Sequence, residues 1–251
     1  MSKLIENGNR PNQLMLIENF LSKDEIKNFQ KILLSDMEWS EQTKYYPDAR
    51  KHYTLKNDWE NSDLINLDKI MKNRLHPLLE SFYSELLFIP ENLSYNRWMI
   101  GDSMGCHNDS GHPDGELIIE KRGNENPPVP ISEHLNEIAS VVYLTDEFDG
   151  GEIFFTNFGY SVKPSKGSVV SFPANHFFSH GVNTLISGER LTVTIFWPGV
   201  KSVALSLMSS VYGDWWQRVS NPETIYRVLP KECIPKIDSK ILPQRKGGGF
   251  Q

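Results

Sequence analysis

The sequence has little cysteine, no long apolar run and no excess of basic charge, and each of these absences excludes a class of protein. Cys106 and Cys233 are its only cysteines, which is too few for a disulfide framework and typical of a reducing, cytoplasmic compartment. No run reaches the roughly 18 apolar residues of a membrane span, and residues 1–13 lack the apolar core of a signal peptide. The net charge of −6 argues against nucleic-acid binding, which requires a basic face. We therefore expect neither membrane nor nucleic-acid partners.

The remaining composition predicts a globular protein, and two helices are predicted in its N-terminal part, after an entry strand over residues 14–17. Hydrophobic residues make up 39% and aromatic residues 11% of the 251-residue chain, enough for the core of one large domain. A capping-box pattern over residues 22–25 predicts a first helix, which buries Ile26, Phe29 and Leu33. A second helix, kinked or restarted at Pro77, is predicted by an apolar stripe. The stripe consists of Leu64, Leu67, Met71, Leu75, Leu78, Phe82 and Leu86.

Short β-patterned segments separated by Gly and Pro turns follow the helices. Their predicted order is a strand over 93–101, a strand over 138–145, a turn over 146–151, a return strand over 152–155 and a hairpin over 161–172 around Lys166 and Gly167. This pattern predicts an α+β, mainly β fold, a double-stranded β-helix (jelly roll) with the N-terminal helices packed outside. We expect one domain over 1–251, with helical support in 14–90, a core in about 93–198 and a C-terminal extension in 199–251.

Polar residues occur in a regular arrangement within residues 167–197. Residues 191–197 alternate as a strand, and Arg190 begins that strand. At a period of two, Arg190 shares a face with Thr192 and Thr194, so a guanidinium and two hydroxyls point to one place, as recognition of a carboxylate requires. His180 lies just upstream, before Gly181.

A second histidine and an aspartate stand earlier in the chain. His107 and Asp109 are two residues apart, and in extended backbone they present an imidazole and a carboxylate on one side. With His180 they form the set of a facial triad, which binds a divalent metal and leaves three neighbouring positions open. That pattern is typical of non-haem Fe(II) oxygenases, whereas a closed four-ligand site leaves no room for reactants.

Other candidate residues have simpler interpretations. His176 and His180 have the spacing of a helical zinc pair, but their strand-like flanks indicate that His176 is a surface or outer-shell residue. Cys106 is interpreted as a packed thiol on the face of its strand opposite to His107. Residues 110–137 are rich in Pro and Gly, and the stretch is longer than a simple hairpin connection. We predict that it forms a flap over the site.

Two further stretches are less specific. Residues 39–57 are either a substrate-side loop or a solvated connection with a short strand. Residues 211–219, with paired tryptophans, are predicted to form a helix that packs back on the core.

The ordered motifs of residues 93–198 resemble the Fe(II)- and 2-oxoglutarate-dependent dioxygenase family, in its prolyl 4-hydroxylase-like branch. These motifs are His-x-Asp, YLTDEFDGGEIFF, SVVSFP, HGV and GERLTVTIFW. The resemblance implies that the three triad residues His107, Asp109 and His180 hold iron. It also implies that Arg190, where many members of the branch carry Lys, pairs with the distal carboxylate of 2-oxoglutarate, assisted by Thr192. Both Tyr95 and Tyr143 stay open as the tyrosine that contacts this co-substrate.

The same resemblance implies hydroxylation of an unactivated C–H bond, with a peptidyl proline as the first substrate and a free amino acid or other small metabolite as the alternative. The implied cofactors are Fe(II), 2-oxoglutarate and O2, with ascorbate as an optional reductant. Asp109 argues against a halogenase, because those relatives need a small residue there. A non-catalytic jelly-roll binding or sensing module is the rival hypothesis, which the joint presence of the triad and Arg190 disfavours.

Overall fold

The computed structural model describes residues 4–35, 37–41, 53–55, 61–90, 93–109, 119–120, 129–130 and 136–200. The expected flap over 110–137 therefore lies largely outside the described residues, and the expected helix over 211–219 and Cys233 lie wholly outside them. No helix in the described part of the chain has the length and apolar character needed to cross a membrane.

Within the described residues the secondary structure is mostly short strands. The helices are α1 (Lys23–Leu33) and α2 (Ser62–Tyr83). The strands are β1 (Ile5–Asn7), β2 (Met15–Ile17), β3 (Trp39–Glu41), β4 (Tyr53–Leu55), β5 (Ser94–Trp98), β6 (Met104–His107), β7 (Ile119–Glu120), β8 (Val129–Pro130), β9 (Asn136–Tyr143), β10 (Phe148–Gly150), β11 (Ile153–Phe155), β12 (Tyr160–Lys163), β13 (Val169–Pro173), β14 (His180–Val182), β15 (Leu185–Gly188) and β16 (Arg190–Pro198).

The strands form antiparallel sheets, two of them large. The larger sheet has the order β2-β13-β9-β16-β5-β4-β3, and the smaller one has the order β1-β12-β11-β14-β6. Two short pairs, β10 with β15 and β7 with β8, complete the described strands. The prediction of a mainly β protein with few helices is confirmed for this part of the chain.

The two faces of the larger sheet have different partners, and β16 shows the division. Its odd-numbered residues, from Leu191 to Trp197, are fully buried in a cluster that also contains the buried residues of α1 and α2. The Gln30 side chain of α1 donates to the Leu144 carbonyl at 2.6 Å, which adds a polar contact between α1 and the end of β9. The opposite face joins inward residues of the smaller sheet in a second apolar cluster, where Phe172 meets Phe155.

Both helices begin at side-chain caps. At α1 the Glu25 N–H donates to the Ser22 hydroxyl at 3.3 Å, and the Ser22 N–H donates to the Glu25 carboxylate at 2.8 Å. This confirms the predicted capping box, and the three predicted apolar residues are buried. At α2 the Asn61 side chain accepts from the Leu64 N–H at 2.9 Å. Because each cap satisfies an N–H that the helix itself leaves free, both helices start at defined residues.

The predicted apolar stripe of α2 is wrong in its second half. Of the two alternatives predicted at Pro77, the restart is excluded, because one helix runs through this residue. Leu79 is fully buried, while three residues of the predicted stripe are 42–46% exposed: Leu78, Phe82 and Leu86. After Leu75 both the third and the fourth following residues are leucines, so spacing alone fits either one, and packing selects the fourth.

The predicted hairpin over 161–172 is also wrong. β12 belongs to the smaller sheet and β13 to the larger one, so the connection passes from one sheet to the other. Gly167 lies in this connection at φ +82°, and a Cβ there would meet the Ile26 side chain at 2.8 Å. The close approach to α1 therefore requires glycine.

Two other stretches differ from, or refine, the sequence prediction. The predicted turn over 146–151 contains β10, which pairs with β15. The polar stretch over 39–57 contributes β3 and β4, which pair with each other and extend the larger sheet beyond β5. The part between these two strands lies outside the described residues.

Candidate metal centre

Strand pairing brings two histidines together. The register of β14 against β6 places His180 opposite His107, and their ring centroids are 4.5 Å apart. Asp109 follows β6 by two residues, where its N–H donates to the Ala174 carbonyl at 3.0 Å. The ligand atoms of His107, Asp109 and His180 all lie within 4.8 Å of one another. The three residues that the sequence singled out thus form one cluster.

Backbone carbonyls orient both imidazoles. The Nδ1 of His107 lies 3.0 Å from the Gly105 carbonyl oxygen, and the Nδ1 of His180 lies 3.0 Å from the Phe178 carbonyl oxygen. A carbonyl only accepts, so each Nδ1 carries a proton, and in the neutral imidazole each Nε2 then offers a lone pair. The two Nε2 atoms lie 3.5 Å from Asp109 Oδ1 and Oδ2, respectively. Both lone pairs are therefore close to one carboxylate.

The surroundings keep His180 neutral. Burial lowers the pKa of His180 to about 4, although the attraction of the Asp109 carboxylate opposes that shift. The rings of Phe172 and Phe155 pack on the imidazole at centroid distances of 4.6 and 5.7 Å. At neutral pH the imidazole is uncharged, which is the form that binds a metal.

The donor set fits a divalent first-row metal such as Fe(II). Two imidazole nitrogens and one carboxylate make the two-histidine, one-carboxylate triad, whose remaining positions stay open for other ligands. Each histidine also makes the Nδ1–H to carbonyl contact that holds metal-bound imidazoles in orientation. The cluster can thus hold a metal and leave room for reactants.

A pocket joins this cluster to the inner face of the larger sheet. Besides the three candidate ligands, it is lined by two strand faces and several apolar residues of the smaller sheet. The strand residues are Ser94, Asn96 and Trp98 of β5, and Arg190, Thr192, Thr194 and Phe196 of β16. The predicted shared face of Arg190, Thr192 and Thr194 is confirmed.

Arg190 is a buried cation in this pocket. Its side chain is 2% exposed, and the guanidinium lies 4.9 Å from the ring centroid of Trp98 and 5.1 Å from that of Tyr143. One terminal nitrogen donates to the Tyr143 hydroxyl at 3.2 Å. Its Nε has no hydrogen-bond partner among the described residues. Because a buried charge is unfavourable without a partner, the arrangement suits an anionic ligand.

The structure separates the two candidate tyrosines. Tyr95 lies on the helix side of β5, where its hydroxyl donates to Asp68 of α2 and its ring packs 6.4 Å from that of Phe29. Tyr143 contacts the site through Arg190. Tyr95 and Trp98 are three residues apart in β5, so their side chains face opposite sides of the sheet. Because Trp98 faces the pocket, Tyr95 does not, and the alternative with Tyr95 is corrected.

Two other sequence interpretations have clear outcomes. Cys106 is exposed, with its Sγ 3.1 Å from the Thr156 hydroxyl oxygen, so the expectation of a packed thiol is wrong. The thiol lies on the face of β6 opposite to His107, and β6 is at the edge of the smaller sheet. His176 is exposed in a 3-10 turn, which agrees with its interpretation as a surface residue.

Sequence reasoning missed Trp98 and Asn136. The Asn136 side chain donates to the Asp109 carbonyl at 3.1 Å, which ties the backbone of a candidate ligand to the start of β9. Neither residue belongs to a motif. Trp98 is recognisable only from the strand register that sets it beside Arg190, and Asn136 only from its contact with Asp109 in the folded chain.

Gly181 leaves no space for a side chain. A Cβ at this position would lie 2.4 Å from the Phe154 ring and 2.6 Å from the Met104 carbonyl oxygen. We expect Gly181→Ala to force β14 away from β6 and to separate the two histidines. Metal affinity should fall roughly 10–100-fold, the range seen when the groups that orient a ligand are lost. Titration with Co(II), followed by visible absorption, measures this effect.

Gly159→Ala is the matched control for that variant. A Cβ at Gly159 meets nothing within 4 Å, although the φ of +57° makes any side chain unfavourable there. The control should lower the melting temperature modestly and leave the Co(II) affinity unchanged. Equal metal affinity in Gly181→Ala and the unmodified protein would contradict the steric argument.

Comparisons with known proteins concern the part of the chain that carries this cluster. Residues 93–197 match the family model described as the 2OG-Fe(II) oxygenase superfamily. Prolyl 3-hydroxylase 2 of Mus musculus is 24% identical over 135 residues, which are 50% of this chain and 19% of that protein. The chain thus aligns with only a small part of the length of this relative.

Solved structures of similar fold include two prolyl hydroxylases. One, from Trichoplax adhaerens in complex with a hypoxia inducible factor peptide fragment, has a TM-score of 0.53 and 12% identity, covering 78% of this chain and 87% of that one. The other, a prolyl-4-hydroxylase of Pseudomonas putida, has a TM-score of 0.50 and 14% identity, covering 74% and 92%.

Proposed function

We propose that this chain is an Fe(II)- and 2-oxoglutarate-dependent dioxygenase that hydroxylates a peptidyl proline. The premise is that its residues 93–197 match the 2OG-Fe(II) oxygenase superfamily. The supporting observation is one pocket that holds both a facial triad and a buried arginine without a counter-ion among the described residues. The overall reaction converts a C–H bond, 2-oxoglutarate and O2 into C–OH, succinate and CO2.

In this proposal the triad holds the iron. His107 and His180 offer Nε2, and Asp109 offers a carboxylate oxygen and the charge that partly balances the ion. Bound Fe(II) supplies the activation of O2 that accompanies the decarboxylation of 2-oxoglutarate. The carbonyl contacts of the two Nδ1 atoms keep both imidazoles aimed at the same point.

Arg190 and its neighbours bind the distal carboxylate of 2-oxoglutarate. The guanidinium offers a planar pair of N–H donors that matches a carboxylate. The Tyr143 hydroxyl accepts from Arg190, so its own proton is available for the same carboxylate. The Thr192 hydroxyl lies on the same strand face and lines the pocket. These three side chains orient the co-substrate, and apolar lining residues such as Val182 limit access of water.

The proposal includes the finer architecture and the place of action. We assign the two facing sheets to a double-stranded β-helix with α1 and α2 packed outside, in one domain over 1–251 with a core over about 93–198. The similar prolyl hydroxylase folds support this assignment. The low cysteine content supports action in a reducing, cytoplasmic compartment.

Peptidyl proline is chosen because of the relatives. The mouse relative is named a prolyl 3-hydroxylase, and the T. adhaerens structure holds a peptide fragment. We propose a proline within a peptide as the substrate, with hydroxylation at C3 or C4 distinguished by the product.

The test incubates the full chain with Fe(II), 2-oxoglutarate, ascorbate and either proline-rich peptides or free proline. We expect succinate to form and a prolyl residue of the peptide to gain one oxygen atom, detected by mass spectrometry and located by NMR. If only free proline gains an oxygen atom, the substrate is a small molecule and not a peptide. Absence of succinate from an iron-loaded protein, with and without peptide, would refute the proposed chemistry.

A further inference from the structure

We propose that Trp98 is a positioning residue for the Arg190 guanidinium, and that it thereby sets the preference of the site for a 2-oxo acid with a distal carboxylate. The inference rests on the proposed function, in which Arg190 binds that carboxylate. It assigns to Trp98 a role in co-substrate selection that no sequence motif indicates.

The strand register makes Trp98 the direct neighbour of Arg190. The pairing of β5 with β16 sets the two residues opposite each other, and the Arg190 Cζ lies over the indole ring, 4.9 Å from its centroid. The Tyr143 ring lies 5.1 Å away. Behind them, a Cβ on Gly151 would approach the Arg190 Cδ to 3.2 Å, so the arginine stem also runs in close contact with the backbone. The side chain is enclosed by two rings and a glycine.

Arg190 needs this enclosure because its hydrogen bonds do not fix its plane. One contact to Tyr143 at 3.2 Å leaves the guanidinium free to rotate about that bond, and Nε has no partner among the described residues. A bidentate contact with a carboxylate forms only when the fork is aligned with the ligand. Stacking on Trp98 supplies this alignment before the ligand arrives, which lowers the entropy lost on binding.

Arg97 on β5 is an arginine whose orientation is set in a different way. Arg97 lies 5.8 Å from the Trp39 ring on the helix side of the sheet. Its guanidinium, however, is held by the Glu189 carboxylate at 2.7 Å. There the ion pair sets the orientation and the tryptophan adds little. No carboxylate of the described residues forms such an ion pair with Arg190, so the orientation of its guanidinium depends on the Trp98 and Tyr143 rings.

The experiment compares Trp98→Leu and Trp98→Phe with the unmodified protein. Each is loaded with Mn(II), and the dissociation constants of 2-oxoglutarate and of 2-oxobutyrate, which lacks the distal carboxylate, are measured by calorimetry. We expect Trp98→Leu to raise the dissociation constant of 2-oxoglutarate about tenfold, the effect of losing a sheltered cation–π contact. The dissociation constant of 2-oxobutyrate should change by less than about twofold. Trp98→Phe keeps a smaller ring face and should give an intermediate ratio.

Trp39→Leu is the matched control, since it removes an arginine-stacking tryptophan outside the pocket; the ratio of the two constants should not change. Equal weakening of both ligands in Trp98→Leu would overturn the proposal, because it would show general loss of pocket packing. If Trp98→Leu fails to fold, Trp98→Phe decides, and an unchanged ratio there overturns the proposal. Arg190→Met and the succinate assay separate the two hypotheses. Undiminished 2-oxoglutarate binding in Arg190→Met would refute the role of Arg190 on which this inference rests, whereas absence of succinate from the iron-loaded protein would refute the proposed function itself.

Discussion

Asp109→Ala is expected to lose all iron-dependent turnover. Asp109 is the one anionic member of the triad, and its two oxygens lie 3.5 Å from the Nε2 atoms of His180 and His107. Without it, two neutral imidazoles face the ion, and neither the third bond nor the balancing charge remains. Loss of an orienting group alone costs roughly 10–100-fold in metal affinity, so loss of the ligand itself should exceed that range.

Metal content after dialysis and succinate production measure the two effects separately. Asp149→Ala serves as the control, because Asp149 is exposed and bonds only to Ser187 among the contacts described. The control should bind iron stoichiometrically and retain its turnover. Stoichiometric iron and full activity in Asp109→Ala would exclude the triad as the metal site.

Arg190→Met should leave iron bound and remove most of the affinity for 2-oxoglutarate. Methionine keeps an apolar contact with the Trp98 and Tyr143 rings but has no donor for a carboxylate. A charge-assisted bidentate contact in a sheltered site contributes roughly 2–5 kcal/mol. The apparent affinity should therefore fall by about two orders of magnitude or more. Because the cation is buried without a counter-ion among the described residues, its replacement should not lower the melting temperature.

Arg97→Met is the paired control on the other face of the sheet. It breaks the ion pair with Glu189 and should leave the 2-oxoglutarate affinity unchanged. Calorimetry with Mn(II)-loaded protein gives both affinities. If Arg190→Met bound 2-oxoglutarate as well as the unmodified protein, another cation would have to hold the carboxylate.

The residues that were predictable from the sequence are those whose neighbours are local. Arg190, Thr192 and Thr194 share a face because a strand repeats every two residues, and this required no tertiary information. The capping box at Ser22 and Glu25 is likewise a contact across three residues. The sequence also indicated His107, Asp109 and His180 as a possible set of metal ligands. Only the register of β14 with β6, however, brings the two histidines together.

What could not be predicted depends on pairing between distant strands. Tyr95 and Tyr143 are equivalent as residue types, and only the register of β5 against β16 turns Tyr95 toward the helices. The chain around Gly167 carries the signals of a hairpin, but the strands on either side pair elsewhere. In both cases the decisive partner is far away in the sequence, so no local pattern contains it.

The hydrogen bond from Asn136 to the Asp109 carbonyl has an evolutionary consequence. It joins the residues that flank 110–135, so both ends of this stretch are held at one place beside the candidate metal centre. Since loop-closure entropy rises by only about 0.6 kcal/mol for each doubling of length, insertions and deletions between these ends are inexpensive and do not displace Asp109. Residues 110–135 can therefore change in length and sequence during evolution while the three candidate ligands, His107, Asp109 and His180, stay in place.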